Sequence, residues 1–241
     1  MRIPAAWGKE RGAGYDPYSM GPATYLKVLS RLEKEVAHWD LPSVSKIARN
    51  KGKKKAPFHV LVGTILSLRT RDEVTLPAAR RLLAKAPDPA RLAAFPEKEI
   101  RRLIYPVCFY RNKARALKET SRKILEDFGG KVPSRMEDLL SLPGVGRKTA
   151  NLVLILGFQD EGGLCVDTHV HRVTRRLGLL ETRTPDETEQ GLRELLPRRV
   201  WAGINDLLVP FGQKICTPLS PWCSRCPVAD LCERKGVKRS R

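Results

Sequence analysis

A lysine and an aspartate near the middle of the chain have residue types that suit covalent chemistry. Lys148 follows a glycine-rich turn, and Asp167 comes nineteen residues later, just before the predicted start of a helix. In the first turn of a buried helix, the helix dipole and partial desolvation both disfavour an ammonium, which frees the amine as a nucleophile. A lysine that only clamps a phosphate would suit this turn equally well. Asp167 taken alone predicts a helix N-cap, but near Lys148 its carboxylate could also act as a base or stabilise a sugar cation.

The turn before Lys148 can itself bind a ligand. Residues 142–150 read Leu-Pro-Gly-Val-Gly-Arg-Lys-Thr-Ala, with helical patterns on both sides. Pro143 ends the first helix, while Gly144 and Gly146 permit a tight turn. The backbone N–H groups that open the second helix lack intrahelical partners, so they can bind a phosphate without reading any base. A nucleotide-binding P-loop is the rival interpretation, but two glycines that it requires are Leu and Arg here, and no strand precedes the turn.

A cysteine cluster near the C-terminus is a third, independent signal. Cys216, Cys223, Cys226 and Cys232 have the spacing C-x6-C-x2-C-x5-C. In a reducing compartment, four thiolates in so short a segment indicate a metal site rather than disulfides. Zinc sites more often have two separated C-x2-C pairs, and only one is present here. The spacing therefore favours an iron–sulfur cluster and leaves tetrahedral zinc as the alternative.

The charge balance points to a polyanionic partner. The 241 residues include 45 Lys and Arg against 26 Asp and Glu, giving a net charge of +19. Nucleic acid is the first candidate and an anionic membrane surface the second. The longest apolar runs, at 60–68 and 152–158, are far shorter than the ~20 residues of a membrane span. Residues 1–20 lack the apolar core of a secretory signal, so an intracellular location is expected.

Hydrophobic spacing predicts an all-α chain. Apolar residues recur at helical intervals from Tyr25 to Val36, residues 58–68 are apolar on nearly every side, and period-two alternation is absent. Residues 1–20 are expected to form a disordered arm, and 50–55 a basic loop. Further helices are predicted over residues 72–84, 91–95, 97–105, 113–128, 134–140, 147–157, 168–177, 185–196 and 198–209.

Taken together, these motifs resemble a known family. Residues 142–151, the Val-Asp-Thr-His step at 166–169 and the cysteine spacing are closely similar to endonuclease III, in the iron–sulfur branch of the helix–hairpin–helix DNA glycosylases. The similarity spans about residues 25–233. It implies an all-α, two-lobed fold with DNA in the cleft between the lobes. A helical barrel over 50–159 would carry the hairpin, and 21–49 with 160–241 would form the iron–sulfur cluster domain.

The resemblance also implies an activity. The protein would be a bifunctional glycosylase and abasic-site lyase that removes oxidised pyrimidines from damaged double-stranded DNA. Lys148 would attack C1′ of a flipped nucleotide, and β-elimination would then cut the strand. Asp167 would activate the lysine or stabilise the sugar charge, while a structural 4Fe-4S cluster would be held by the four cysteines. A cytoplasmic, nucleoid-associated monomer is expected.

DNA contacts are expected from the hairpin and from residues around the cleft, and two of these positions depart from the family. The expected set is Gly144, Val145, Gly146, Arg147, Thr149, Arg69, Phe109 and His169. Arg69 stands where the family has a glutamine, which affects how the base opposite the lesion is read. Phe109 aligns with an apolar wedge, although an ordinary core aromatic is nearly as consistent with its sequence. The loop between Cys216 and Cys223 carries no basic residue, so Lys214, Arg225 and the tail 234–241 are expected to supply its charge.

Two other functions are compatible with parts of the pattern. A monofunctional, mismatch-specific glycosylase would share the fold, but such relatives lack the lysine found at Lys148. A non-catalytic DNA-binding module would need only the hairpin and the positive charge. It would have no use for both Lys148 and Asp167, which is why the glycosylase and lyase interpretation leads.

Overall fold

The computed structural model describes residues 21–49 and 56–241, and every regular element in these segments is helical. The all-α prediction is therefore confirmed. The predicted arm at 1–20 and the basic loop at 50–55 lie outside the described residues. The α-helices are α1 (Pro22–Val36), α2 (Ser43–Arg49), α3 (Ala56–Ser67), α4 (Asp72–Lys85), α5 (Pro89–Ala94), α6 (Glu97–Ile104), α7 (Tyr110–Phe128), α8 (Met136–Leu140), α9 (Arg147–Leu152), α10 (Thr168–Leu177), α11 (Pro185–Leu195) and α12 (Trp201–Lys214).

A first hydrophobic core surrounds α3. This helix is apolar on nearly all sides, and Leu61, Ile65 and Leu66 are each at most 1% exposed. Helices α4 to α9 pack around it and contribute further buried side chains. Burial of each such side chain is worth roughly 1.5–3 kcal/mol. The position of α3 confirms the central buried helix that the sequence predicts.

A second core joins the two ends of the described chain. Tyr25 of α1 is fully buried against α10, where its hydroxyl lies 3.1 Å from the Thr174 hydroxyl. Apolar side chains of α10, α11 and α12 complete this core, together with residues near the cysteine cluster. Helix α1 therefore packs with the C-terminal segment.

Helix α2 lies on the other side of the expected lobe boundary. The sequence interpretation assigns 21–49 to the cluster domain, whereas Val44 and Ile47 of α2 are buried in the first core. Ile47 also fits closely against α3, because a Cβ added at Gly63 would lie 2.7 Å from its Cδ1. Apolar contact with α3 thus draws α2 to the barrel side. The division of the remaining segments into two lobes stays a prediction.

Helix α9 continues without a break into a π-helical turn, Val153–Gly157, so the predicted helix over 147–157 is present as one rod of mixed geometry. It crosses the start of α3 at close range. A Cβ added at Gly157 would lie 2.7 Å from the Pro57 Cα, so this contact requires a glycine. The crossing fixes the rod that presents Lys148. No helix in the described segments combines the length and apolar character needed to cross a bilayer.

Candidate active site

The hairpin between α8 and α9 has the geometry of an anion site. Gly144 has a φ of +74°, and a Cβ there would also approach the Ala116 Cβ to 3.2 Å. Gly146 is the N-cap of α9 and supplies no side-chain cap, so the first N–H groups of α9 remain without an intrahelical partner. Val145 is 8% exposed and anchors the hairpin in the first core. Thr149 is 1% exposed, so this residue of the expected DNA-contact set is buried in the structure.

Lys148 and Asp167 meet in the structure. The Lys148 Nζ donates to the Asp167 Oδ2 at 3.1 Å. The lysine side chain is 36% exposed whereas the aspartate is 7% exposed, so the amine faces the open side of the pair. The amine therefore has access to a ligand while its carboxylate partner is held in the protein.

Asp167 is also the N-cap of α10. Its Oδ1 accepts hydrogen bonds from the backbone N–H groups of His169 at 2.8 Å and Val170 at 3.0 Å. Burial alone would raise the pKa of Asp167, but the positive charge of Lys148 and the Val170 N–H together lower it below its usual value. The carboxylate is thus ionised at neutral pH. Asp167 therefore fills both of the predicted roles: its Oδ1 caps α10, and its Oδ2 pairs with Lys148.

His169 follows Asp167 on α10 and lies beside Arg172. Burial lowers the pKa of His169 and the nearby Arg172 charge adds to that effect, while the negative charge of Asp167 opposes it. The Arg172 Nη2 lies 3.1 Å from the His169 Nδ1. Arg172 also donates to the Gly212 carbonyl at 2.8 Å, which links the start of α10 to α12.

One open cleft brings together residues that are far apart in the sequence. Lys148, Asp167, Arg69 and His169 all line it, and its empty volume is about 1850 Å³. Arg147 lies nearby and pairs with Asp186 and Glu189. Four of the predicted residues thus share one cleft, while the glycines and Val145 form the hairpin behind Lys148.

Arg69 and Phe109 form a pair at the edge of this cleft. Both have a left-handed backbone, with φ of +54° and +56°. The Arg69 guanidinium carbon lies 5.2 Å from the centre of the Phe109 ring, and Phe109 is 55% exposed. An exposed phenylalanine is not part of a core, so the core interpretation of Phe109 is wrong. The aromatic ring is available for contact with a ligand.

Sequence reasoning missed a buried carboxylate close to Lys148 and Asp167. Glu189 of α11 is 4% exposed, and it accepts hydrogen bonds from Arg193 at 3.1 Å, Asn151 at 3.1 Å and Arg147 at 3.4 Å. Arg147 and Asn151 flank Lys148 on α9, so Glu189 joins the lysine-bearing helix to α11. The only sequence signal is a glutamate on the inward face of α11, where Thr188 and Leu192 are also buried.

The four cysteines line a second recess, separate from the cleft, whose empty volume is about 360 Å³. Among the described residues, no group of three or more His, Cys, Asp or Glu side chains converges tightly enough for a single metal ion. Apolar side chains and two arginines complete the lining of the recess. The buried Arg176 donates to the Cys216 Sγ at 3.5 Å, and the Arg234 N–H donates to the Cys232 Sγ at 3.4 Å. Four cysteines with N–H donors to their sulfurs fit an iron–sulfur cluster.

The cysteine loop is tied to α10 and covered by the chain end. Arg176 donates to the Thr217 carbonyl at 2.7 Å and the Pro218 carbonyl at 2.6 Å. Arg225 and Arg241 both stack on Trp222, at 4.1 and 4.0 Å from its ring centre. Two of the basic groups expected to replace charge in this loop are therefore held against an aromatic ring.

Comparisons with known proteins agree with this geometry. Residues 62–198 match the family described as HhH-GPD superfamily base excision DNA repair protein. Endonuclease III of Thermotoga maritima is 47% identical over 203 residues, which cover 82% of this chain and 94% of that protein. An endonuclease III-like protein 1 of Gallus gallus is 36% identical over 239 residues, covering 96% of this chain and 85% of that protein.

The same family is found among solved structures. A trapped endonuclease III–DNA covalent intermediate, the estranged-adenine complex, superimposes with a TM-score of 0.77 and 30% sequence identity. The superposition covers 90% of this chain and 98% of that one. The family match, the relatives and the shared fold lead to one assignment: the chain belongs to the HhH-GPD superfamily of base excision DNA repair proteins, as a homologue of endonuclease III.

Proposed function

We propose that Lys148 is the nucleophile and Asp167 its proton acceptor in a bifunctional enzyme of base excision repair. The protein is a DNA glycosylase with abasic-site lyase activity, and oxidised pyrimidines in duplex DNA are its substrates. The proposal rests on the 3.1 Å contact in the cleft between the amine of the partly exposed Lys148 and the buried carboxylate of Asp167. A lysine that only clamps phosphate needs no buried carboxylate, since the carboxylate would repel the phosphate.

The chemistry follows from the orientation of this pair. A base inside a duplex is out of reach, so the damaged nucleotide must be extruded into the cleft. Asp167 takes a proton from Lys148, and the Nζ lone pair attacks C1′ of the sugar. The bond from C1′ to the base breaks, and the base leaves with the bonding electrons and gains a proton. Loss of a second proton from the nitrogen gives an aminal at C1′. The C1′–O4′ bond then breaks, O4′ takes up a proton, and the opened sugar carries an iminium at C1′. Removal of a proton from C2′ expels the 3′ phosphate by β-elimination.

Phosphate binding by the hairpin would hold the DNA during these steps. The unpaired N–H groups of α9 and the positive end of its dipole both favour an anion in front of Gly146. Lys148 is the second residue of the same helix. A phosphate bound at the helix start would therefore place a neighbouring sugar close to the amine without any base-specific contact.

We further propose that Cys216, Cys223, Cys226 and Cys232 hold a 4Fe-4S cluster. Burial raises the pKa of Cys226 to about 11, so thiolates in this recess require a positive group for stability. A bound cluster supplies this charge and cross-links the loop that follows α12. The protein is expected to act as a monomer on DNA of the cytoplasmic nucleoid.

Borohydride trapping tests the catalytic proposal. Wild-type protein and a duplex with a single oxidised pyrimidine should form a covalent adduct, because borohydride reduces the imine to a stable amine. Lys148→Ala should form none. Lys123→Ala is the matched control, because Lys123 also pairs with an aspartate, Asp127, but on the exposed side of α7. Absence of an adduct with wild type, or a lysine-linked adduct with Lys148→Ala, would refute the mechanism.

A further inference from the structure

A buried lysine outside the catalytic cleft has an unusual environment. Lys113, in the first turn of α7, is 7% exposed. Its ammonium donates to the Leu66 carbonyl at 2.8 Å, the Leu68 carbonyl at 2.5 Å and the Thr70 hydroxyl at 3.1 Å. All three acceptors are neutral, and no carboxylate of the described residues pairs with this ammonium. Burying an unpaired charge costs free energy, so the burial of the Lys113 ammonium calls for an explanation.

The acceptors belong to the end of α3 and the turn that follows it. The last carbonyls of a helix lack intrahelical partners and carry the negative end of the dipole. Lys113 therefore caps α3 from a different helix. The turn that it caps holds Arg69 in a left-handed conformation, which is rare for a residue with a side chain.

The same contacts join this turn to a second one. The Thr70 hydroxyl, which accepts from Lys113, also accepts from the Cys108 N–H at 3.1 Å. Cys108 precedes Phe109, which has a left-handed backbone like Arg69. Lys113 and Thr70 thus connect the turn that presents Arg69 with the turn that presents Phe109, and the two side chains stack on each other.

The Arg69 side chain is held only weakly by the residues that the structure describes. Within them, its guanidinium makes no hydrogen bond or ion pair, and its stacking on Phe109 is an exposed and therefore weak interaction. The side chain is exposed at the edge of the cleft that contains Lys148. The backbone beneath it must therefore supply most of the order.

We propose that Lys113 is a positioning residue for lesion recognition, which holds the Arg69 and Phe109 turns together as one preformed wedge. The proposal rests on the proposed function, since a wedge is needed only if a nucleotide leaves the duplex. Extrusion leaves a gap in the base stack and an unpaired partner base. A preformed wedge fills that gap without the entropy cost of ordering two loops.

Single-turnover kinetics on two substrates test this role. One duplex carries an oxidised pyrimidine opposite a normal purine, and the other lacks the nucleotide opposite the lesion, so that no partner base needs support. Lys113→Met should lower the rate on the paired duplex about tenfold, because charge-assisted hydrogen bonds are lost. On the gapped duplex the loss should be much smaller. Lys118→Met is the matched control, since Lys118 of α7 also donates to a carbonyl, that of Phe95 at 2.9 Å.

A pH profile of wild-type protein gives a second readout, which does not depend on whether Lys113→Met folds. Desolvation lowers the pKa of Lys113 to about 8, against a smaller opposing effect of Cys108. The ammonium is therefore lost as the pH rises through about 8, and the ratio of the paired rate to the gapped rate should fall there. A pH effect on the chemical step is common to both duplexes and cancels in the ratio. Cys108→Ser should show the same fall, which separates the lysine from the nearby thiol.

The pH effect also has a direction that instability would not produce. Because the folded pKa of Lys113 lies below its unfolded value, the unfolded state binds more protons between the two values, and folding becomes more favourable as the pH rises there. Equal losses on both duplexes, or a ratio that stays flat through about pH 8, would overturn the proposal. If wild type forms no borohydride adduct on either substrate, the failure lies with the proposed function instead.

Discussion

Replacing Asp167 by asparagine should separate catalysis from stability. The two carboxylate oxygens have different partners: Oδ1 caps α10 by accepting from two backbone N–H groups, and Oδ2 accepts from Lys148. Asparagine keeps an oxygen for the cap and has a similar shape, but it carries no charge and cannot accept a proton. Asp167→Asn therefore removes the proposed proton acceptor while α10 keeps its start.

The expected changes differ in size. Asparagine and aspartate are comparable N-caps, so the cap itself should change the free energy of unfolding by less than about 1 kcal/mol. The lost ion pair involves a Lys148 side chain that is 36% exposed, and solvent screening limits its contribution to about 1 kcal/mol. Loss of a general base, in contrast, should slow base excision roughly 10²- to 10⁴-fold. Asp167→Ala should lose about 1 kcal/mol more, because the cap disappears as well.

Single-turnover excision and urea unfolding measure the two effects side by side. A variant Asp167→Asn that excises the base at the wild-type rate would refute the catalytic role and leave the N-cap as the only role. Acid pH offers an internal check. Because the folded pKa of Asp167 is lowered, its contribution to stability is present above the unfolded value of about 3.9 and is lost as the pH falls through the folded value. The stability difference between wild type and Asp167→Asn should therefore shrink in acid.

Three further changes have distinct expected outcomes. Glu189→Ala should destabilise folding by about 1–3 kcal/mol in urea unfolding, because the buried Asn151 amide loses its acceptor while Arg147 and Arg193 stay partly exposed to solvent, and an unchanged unfolding midpoint would contradict this. Cys226→Ser should lower the bound iron and acid-labile sulfide, and unchanged iron content would exclude it as a ligand. Phe109→Ser should slow excision about tenfold on a paired duplex, measured in single turnover, with little effect on the unfolding midpoint because the ring is exposed.

The parts of the site that are formed by residues close together in the sequence could be predicted from it. The hairpin needs a proline, two glycines and a helix start within a few positions, and these constraints act locally. The N-cap role of Asp167 likewise depends only on the helix that follows it. The cysteine spacing places four sulfurs in one loop whatever the rest of the fold does. Each of these features was correctly located because its geometry is set by near neighbours.

The missed features depend on contacts between distant segments. Lys113 falls on the apolar stripe that also includes Leu117 and Ile124, and that position was a signal, but its acceptors lie more than forty residues earlier. Glu189 binds partners on α9, which no spacing rule connects with α11. The short apolar face of helix α2 does not specify a partner, and the structure buries it in the first core. Tertiary packing decides all three.

The positions of these missed residues explain why the cleft can be both open and ordered. Two sides of the cleft are short turns, one ending in Arg69 and one presenting Lys148, and neither has an apolar core of its own. A buried charged residue also holds each turn from behind: Lys113 caps the first, and Glu189 binds Arg147 and Asn151 of the helix that follows the second. Apolar packing at these places would fill the space that an extruded nucleotide must enter. Buried hydrogen bonds give order without occupying that space, so such residues are expected behind the cleft rather than in it.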